Sequence, residues 1–335
     1  MKIKDILQIK YGKNQSSVID KNGKYPIIGT GGIFGYATKY LYNKPSVLIG
    51  RKGSINNPMY VDTPFWTVDT LFYTIIDTSK VIPRWFYYYI STLNLNKFNE
   101  GTTIPSLTTK TLYEIDVPEH SLNYQQHIVD IIGSIDDKIE NNNKIIEKID
   151  KLGLSKYKSL NNDFIEFSEF AEFSKGKEAS SQNYMDMKDN TTINFIRVKD
   201  LNSITNTYIP KSLNLPIAKP NDILISFDGA IGRINYGLNG AYSSGIYKVN
   251  PINHNNYGIL FWALKDDVNQ QIMLEHTNGT TILHGSKSIK YLKIKEHSIN
   301  DAKFYNNLFD YSLNIKLENI KLSELKQLYL KKFFG

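Results

Sequence analysis

The stretch EHSLN at residues 119–123 returns as EHSIN at 296–300, a step of 177 residues (296 − 119 = 177) in a chain of 335. Upstream of each copy lies GTTI, at 101–104 and again at 279–282. The longer match sets GTTIPSLTTKTLYEIDVPEHSLN against GTTILHGSKSIKYLKIKEHSIN, one residue shorter. Fainter echoes keep the same order. VLIGRKGSIN (47–56) answers to ILISFDGAIG (223–232), and ILQIKYGK (6–13) to FAEFSKGK (170–177). Each half also carries an aromatic helical candidate, PRWFYYYISTLNLNKF in the first and YGILFWALKDDVNQQIM in the second. A repeat at this interval constrains the chain to two copies of one mixed α/β unit. The alternation in TLYEIDV and SIKYLKI predicts a half-buried strand before each EHS boundary.

After each boundary the texture becomes helical. Ile128, Ile132, Ile135, Ile139, Asn142, Ile146, Ile149 and Gly153 step by four and three. That spacing is a heptad seam and requires a partner helix. Asn142 on the seam is either a register-setting polar residue or a surface Asn near a bend. The NNN run at 141–143 is poor helix material. In the second copy Leu308, Tyr311, Ile315, Leu322, Leu325 and Tyr329 keep similar spacing, interrupted by Glu318. Two helices in equivalent places, each with an apolar stripe, are expected to pair antiparallel. The expected class is α+β, with two pseudo-repeated mixed α/β domains separated by a pair of long antiparallel coiled-coil helices. The expected boundaries are 1–122, 123–158, 159–298 and 299–335.

Composition narrows the chemistry. There is no cysteine, so disulfides, thiol nucleophiles and Cys-based zinc sites are excluded. The charge of +7, from 40 Lys+Arg against 33 Asp+Glu, suits a polyanion such as nucleic acid, and equally suits simple solubility. The N-terminal MKIKDILQIK lacks the apolar core of a signal peptide, and no run is apolar enough to span a bilayer. A cytoplasmic protein with no membrane partner is expected. GTGG at 29–32 precedes a Gly-, Tyr- and Asn-rich stretch rather than a helix, and therefore reads as a loop rather than a cofactor cradle. NNPMY at 56–60 falls one proline short of an amino-methyltransferase motif. His120 and His127 lack partner ligands in the sequence, so no metal site is expected.

The order of these segments resembles the specificity subunits of type I restriction-modification systems. GTTIPSL followed by VPEHSLNYQQHIVDIIGSIDDKIE looks like that family's passage from recognition domain into spacer helix. Pro118, Leu122, Gln125 and Ile128 occupy the usual places. Tyr124 stands where Glu is usual, and Ala302 where Gln is usual in the second copy. The resemblance implies a non-catalytic reader of double-stranded DNA with two target recognition domains, one for each half of a split target. It further implies docking of two methyltransferase subunits and of restriction subunits that supply motor and nuclease. S-adenosylmethionine, ATP and Mg2+ would then belong to those partners, with no cofactor in this chain.

Base reading needs donors and acceptors on loops, with phosphate contacts beside them. The candidates are Lys13, then Arg51, Lys52, Ser54 and Asn56 on the first glycine turn. Lys175, Lys177, Ser181 and Gln182 lie on a second, and Arg233 and Asn235 on a third. Tyr36 and Tyr42 are further candidates. Two other readings remain at this point. A stand-alone DNA methyltransferase would bind its cofactor alone, and a coiled-coil scaffold would ignore DNA.

Overall fold

The computed structural model describes residues 1–202, 207–277 and 284–335, so the second GTTI lies outside the described residues. The chain divides into two compact units, Met1–Lys138 with Leu322–Gly335, and Ile139–Lys321. The first contains strands β1 (Leu7–Tyr11), β2 (Tyr25–Gly29), β3 (Gly32–Ala37), β4 (Ser46–Gly50), β5 (Met59–Val61), β6 (Trp66–Thr67) and β7 (Leu71–Ile76). Helix α1 (Pro83–Thr92) and the short α2 (Thr109–Tyr113) follow, and then the long α3 (Leu122–Lys158) begins. The second unit contains β8 (Phe164–Glu166), β9 (Ala171–Lys175), β10 (Thr192–Ile196), β11 (Tyr208–Pro210) and β12 (Ile217–Ala218). It continues with β13 (Ile223–Ser226), β14 (Ile234–Asn235), β15 (Gly240–Tyr242), β16 (Ile246–Pro251), α4 (Tyr257–Lys265), α5 (Asp267–Glu275) and β17 (Lys293–Lys295). The last helix is α6 (Ile299–Phe334).

The sheets confirm the repeat. One antiparallel sheet has the order β1-β7-β4-β5, and its counterpart runs β9-β16-β13-β14. A second sheet, β3-β2-β6, carries a parallel β2–β6 pair, and β11-β10-β15-β12 carries the matching parallel β10–β15 pair. β4 is buried along all five residues, as a central strand covered on both faces should be. Its counterpart β13 is buried along all four. The aromatic helix packs the sheet in each copy. Trp85, Phe86 and Tyr88 of α1 join Val47, Ile49 and Phe72 in the first core. Ile259, Phe261 and Trp262 of α4 join Ile223, Ile225 and Val249 in the second.

Three local expectations change. TLYEIDV is not a strand: Thr108 accepts the Thr111 N–H and caps one helical turn, α2, which buries Leu112, and Ile115 is buried just past its end. SIKYLKI forms a 3₁₀ helix, Ser286–Tyr291, before the short β17. The second aromatic helix is two helices, because Asp266 leaves helical geometry and its carboxylate caps α5 at Val268. In addition, the segment after GTGG is not a loop throughout, since it forms β3 at the edge of its sheet.

The repeated EHS motif has a mechanical explanation. Ser121 Oγ accepts the Tyr124 N–H, and Ser298 Oγ accepts the Asp301 N–H at 3.1 Å. Both serines cap the long helices, and Asp301 returns a bond to the Ser298 N–H, completing a capping box. Gln125, one turn into α3, ties that helix to α1 by accepting the Ile82 N–H at 2.9 Å and donating to Lys80 and His120 carbonyls. Ala302 cannot do this. Asn306, one turn further on, takes over by accepting the Gly258 N–H and donating to the Asn255 carbonyl.

The α3 seam lies where the isoleucine spacing puts it. Ile128, Ile132, Ile135, Asn142 and Ile149 are buried, and Ile139 and Ile146 half-buried. The helix runs unbroken through 141–143. On α6 the apolar spacing misleads. Tyr311 is 55% and Leu325 41% exposed, while Leu308 and Leu322 are half-buried and Ile315 is buried. Also turned inward are Tyr305, Phe309, Ser312, Lys316, Asn319, Ser323, Lys326 and Leu330. These are the α3 seam positions advanced by the same 177 residues. Five of them are polar, which is why hydrophobicity did not reveal them.

The two helices run antiparallel within each unit. In the second, Lys156 meets Asp301, and Asn142 Nδ2 donates to Asn319 Oδ1 at 2.8 Å and to Glu318 Oε2 at 2.7 Å. In the first, Lys326 pairs with Asp136 at 2.6 Å, and His127 faces Phe333. Asn142 and Asn319 are themselves equivalent under the repeat, 177 residues apart. The helix halves also pack into the cores. Ile128, Ile132 and Leu330 belong to the first, and Ile149, Tyr305 and Phe309 to the second. The expected four-part division therefore separates segments that the structure packs together.

Phe309→Ala is expected to destabilise the second unit by about 3–5 kcal/mol. Leu325→Ser is expected to stay within about 0.5 kcal/mol of the parent. Denaturant midpoints would check this. Similar losses for both would return the seam to the apolar residues.

Candidate nucleic-acid interface

The first candidate surface is a turn held from both sides. After β4 the chain passes through Arg51, Lys52 and Gly53. The Leu107 N–H donates to the Arg51 carbonyl and the Gly53 N–H to the Pro105 carbonyl, each at 2.9 Å. The first GTTIPSL segment is thus a clamp on the turn. Gly53 has φ +83°, a conformation L side chains rarely adopt. The Arg51 guanidinium donates to the Asp69 carbonyl at 2.7 Å and lies 5.3 Å from the Tyr11 ring centroid. Lys13 joins the same edge because its N–H donates to the Thr67 carbonyl. Just before it, an added Cβ on Gly12 would sit 2.0 Å from the Val68 carbonyl oxygen, so only glycine lets the strands approach. Lys13 and Lys52 are exposed, with no ion-pair partner among the described residues.

Not every candidate is available. Ser54 is exposed, whereas Asn56 already accepts the Leu95 N–H at 2.6 Å. Tyr42 packs on Phe65 and Tyr73, and burial pushes its hydroxyl pKa up. Tyr36 is 48% exposed on β3.

The second unit builds the same edge with different charges. Gly176, like Gly12, admits no Cβ, which would lie 2.3 Å from the Ser243 carbonyl oxygen. Lys175 and Lys177 flank it and are exposed, as are Ser181 and Gln182. After β13 the turn carries Asp228 and Gly229, whose φ is +74°. Ser226 closes it by exchanging bonds with Arg233, and the Arg233 side chain is half-exposed. Asp228 Oδ1 meets His284 Nδ1 at 2.8 Å, and Oδ2 lies 3.8 Å from Lys175 Nζ. The sequence reading passed over Asp228 and His284. Aligning SFDG on GRKG would have exposed Asp228, which stands opposite Lys52.

Asn235 is a correction. Its amide donates to the Leu201 carbonyl, and its Oδ1 accepts from the Tyr236 N–H at 2.8 Å and from Lys316 Nζ at 2.7 Å. The side chain fastens β14 to α6 and is not free for a base.

A family model for the type I restriction modification DNA specificity domain matches residues 1–151 and 160–327. The chain belongs to this family. The specificity subunit of the type I restriction enzyme MjaIX from Methanocaldococcus jannaschii is 29% identical over 134 residues. That match covers 39% of this chain and 30% of the relative's length. A crystal structure of the type I restriction-modification S subunit from M. genitalium superposes with a TM-score of 0.61 at 20% identity. It covers 100% of this chain and 95% of that one, and it shows a shared fold. Among the described residues no helix is long and apolar enough to cross a membrane.

This specificity-domain chain also places a charge inside its helix seam. Lys316 Nζ lies 3.6 Å from the Tyr236 ring centroid, close enough for a cation–π contact. Burial pushes its pKa down from 10.5 to about 8, with Asp150 opposing that shift and Lys265 adding to it. The folded state thus releases the Lys316 proton before the unfolded chain does. Below pH ~8 both states hold it and the burial penalty is complete. Between the two values the unfolded chain binds more protons, so stability rises with pH. Relative to Lys316→Met, the parent is expected to gain about 2 kcal/mol from pH 7.5 to 9.5. Parallel denaturation of both proteins would measure it, and a flat difference would remove the buried charge from the argument.

Proposed function

We propose that this chain is the DNA-reading specificity subunit of a type I restriction-modification complex, with each unit reading one half of a split duplex target. The observation that carries the reading is the duplicated edge. A cation-bearing strand end, a glycine that admits no side chain, and a turn with left-handed glycine occur twice, at equivalent places in the two sheets. Exposed lysines there are suited to phosphates or base acceptors, and side chains on the turns reach base edges. The chain itself is non-catalytic in this reading. S-adenosylmethionine, ATP and Mg2+ act in partner subunits, two methyltransferases and the restriction subunits. The helices offer a docking surface in the first unit, because Leu325 and Leu328 of α6 are 41% and 67% exposed and cover no core.

Two outcomes test this. Arg51→Ala with Lys52→Ala is expected to disturb one half-site only, or to weaken all sequences together. A lost base contact costs about 1–3 kcal/mol of discrimination, and a lost phosphate contact lowers the salt slope by about 1. Sequencing methylated sites made by the assembled complex reports both half-sites. A change confined to the other half-site would break the assignment of unit to half-site. Light scattering of the co-expressed proteins is expected to show two methyltransferases per chain. A chain that stays alone at micromolar concentration would remove the docking role.

A further inference from the structure

Lys52 and Asp228 occupy one structural position with opposite charge. Each precedes a left-handed glycine, and each forms an isolated antiparallel bridge, Lys52 to Ser106 and Asp228 to His284. Everything around Asp228 argues against a carboxylate that merely faces solvent. Its side chain is 17% exposed, His284 holds Oδ1, and Lys175 stands 3.8 Å from Oδ2. Among the described residues Oδ2 accepts no hydrogen bond. Lys175, in turn, is steadied over the Tyr247 ring at 5.6 Å and is 52% exposed. A carboxylate with one oxygen held by His284 and an exposed ammonium therefore sit side by side as a loose ion pair on the edge proposed to face DNA.

We infer that Asp228 and Lys175 read one C·G base pair in the half-site of the second unit. This rests on the DNA-reading function proposed above. A carboxylate brought against a polyanion is repelled, so the position is favourable only where it meets a hydrogen-bond donor. In the major groove the donors are the amino groups of cytosine and adenine. A carboxylate pairs with cytosine N4, whereas adenine, which adds the N7 acceptor, suits Asn or Gln. The guanine of the same pair presents O6 and N7 as acceptors, which suit the ammonium of Lys175. His284 orients the carboxylate through Oδ1 and leaves Oδ2 for the base. Lys52, with no acceptor at the equivalent place, cannot read cytosine, so the two half-sites differ at this position.

The test is selection from a randomised duplex library by the full chain, purified with its methyltransferase. The parent is expected to enrich a split consensus with C·G at one position of one half. Asp228→Ala should lose about 10- to 100-fold of the preference for that pair while every other position is retained. Asp228→Asn keeps the shape of the side chain and guards against a folding defect. It should relax the same position or move it toward A·T. Lys175→Ala should weaken the same pair. An unchanged consensus in both Asp228 variants would overturn the assignment. So would a uniform loss of affinity with the consensus intact, which would make Asp228 a positioning residue for the turn. A parent that enriches no sequence would instead defeat the DNA-reading function, and this assignment with it.

Discussion

The hydrogen bond between Asn142 and Asn319 is the point on which the helix pairing turns. The two residues are equivalent under the 177-residue repeat, and they meet where α3 and α6 pair in the second unit. A buried amide is costly unless it finds a hydrogen-bond partner, and here the partner is met at one register. Sliding either helix by a turn would part the two amides and leave Asn142 buried without them. Register is therefore specified by a polar contact in an otherwise isoleucine-lined α3. That specification allows the α6 seam to be polar. Once register is set, Ser312, Lys316 and Lys326 can face particular partners rather than an undifferentiated apolar surface. Ser312 meets the Tyr236 hydroxyl, Lys316 meets Asn235, and Lys326 meets Asp136.

The same logic connects the helices to the reading edge in the second unit. β14 ends in Asn235, which Lys316 holds from α6, and the turn before it carries Arg233 and Asp228. A seam residue thus fixes the base of the loop whose tip is proposed to meet DNA. In the first unit the turn is instead gripped by the GTTIPSL clamp, with Arg51 committed to the Asp69 carbonyl and the Tyr11 ring. The scaffold is shared, while the loop chemistry diverges. A DNA reader gains specificity this way, because the strands conserve the position of a turn and leave its side chains free to differ.

Much of the architecture was legible in the sequence. The repeat announced two copies, and the strand-turn echoes VLIGRKGSIN and ILISFDGAIG became β4 and β13 in matching sheets. The inward turn of the α3 isoleucines follows from spacing, because each of those positions but Asn142 and Gly153 is one apolar residue type at heptad intervals. The charged turn was found in the first unit because Arg51 and Lys52 stand next to glycine. Hydrophobicity is a partial guide on α6, where polar side chains also turn inward. Leu325 and Tyr311 looked like seam residues and are exposed, and Asn235 looked like a base reader and is a structural tie.

The sequence by itself determined the duplication, the helix caps at Ser121 and Ser298, and the class of fold, because these rest on local spacing and on short-range hydrogen bonds. Even the α6 seam was encoded, in the repeat offset rather than in the apolar pattern. Only the tertiary structure decided which side chains are available for function. Asn235 is committed on both its amide atoms, Asn56 gives its Oδ1 to Leu95, Tyr42 packs on Phe65 and Tyr73, and Asp228 is brought to Lys175 and His284 across more than 50 residues. Such pairings depend on how strands distant in sequence are laid side by side, and a residue's own neighbours in the chain carry no record of that.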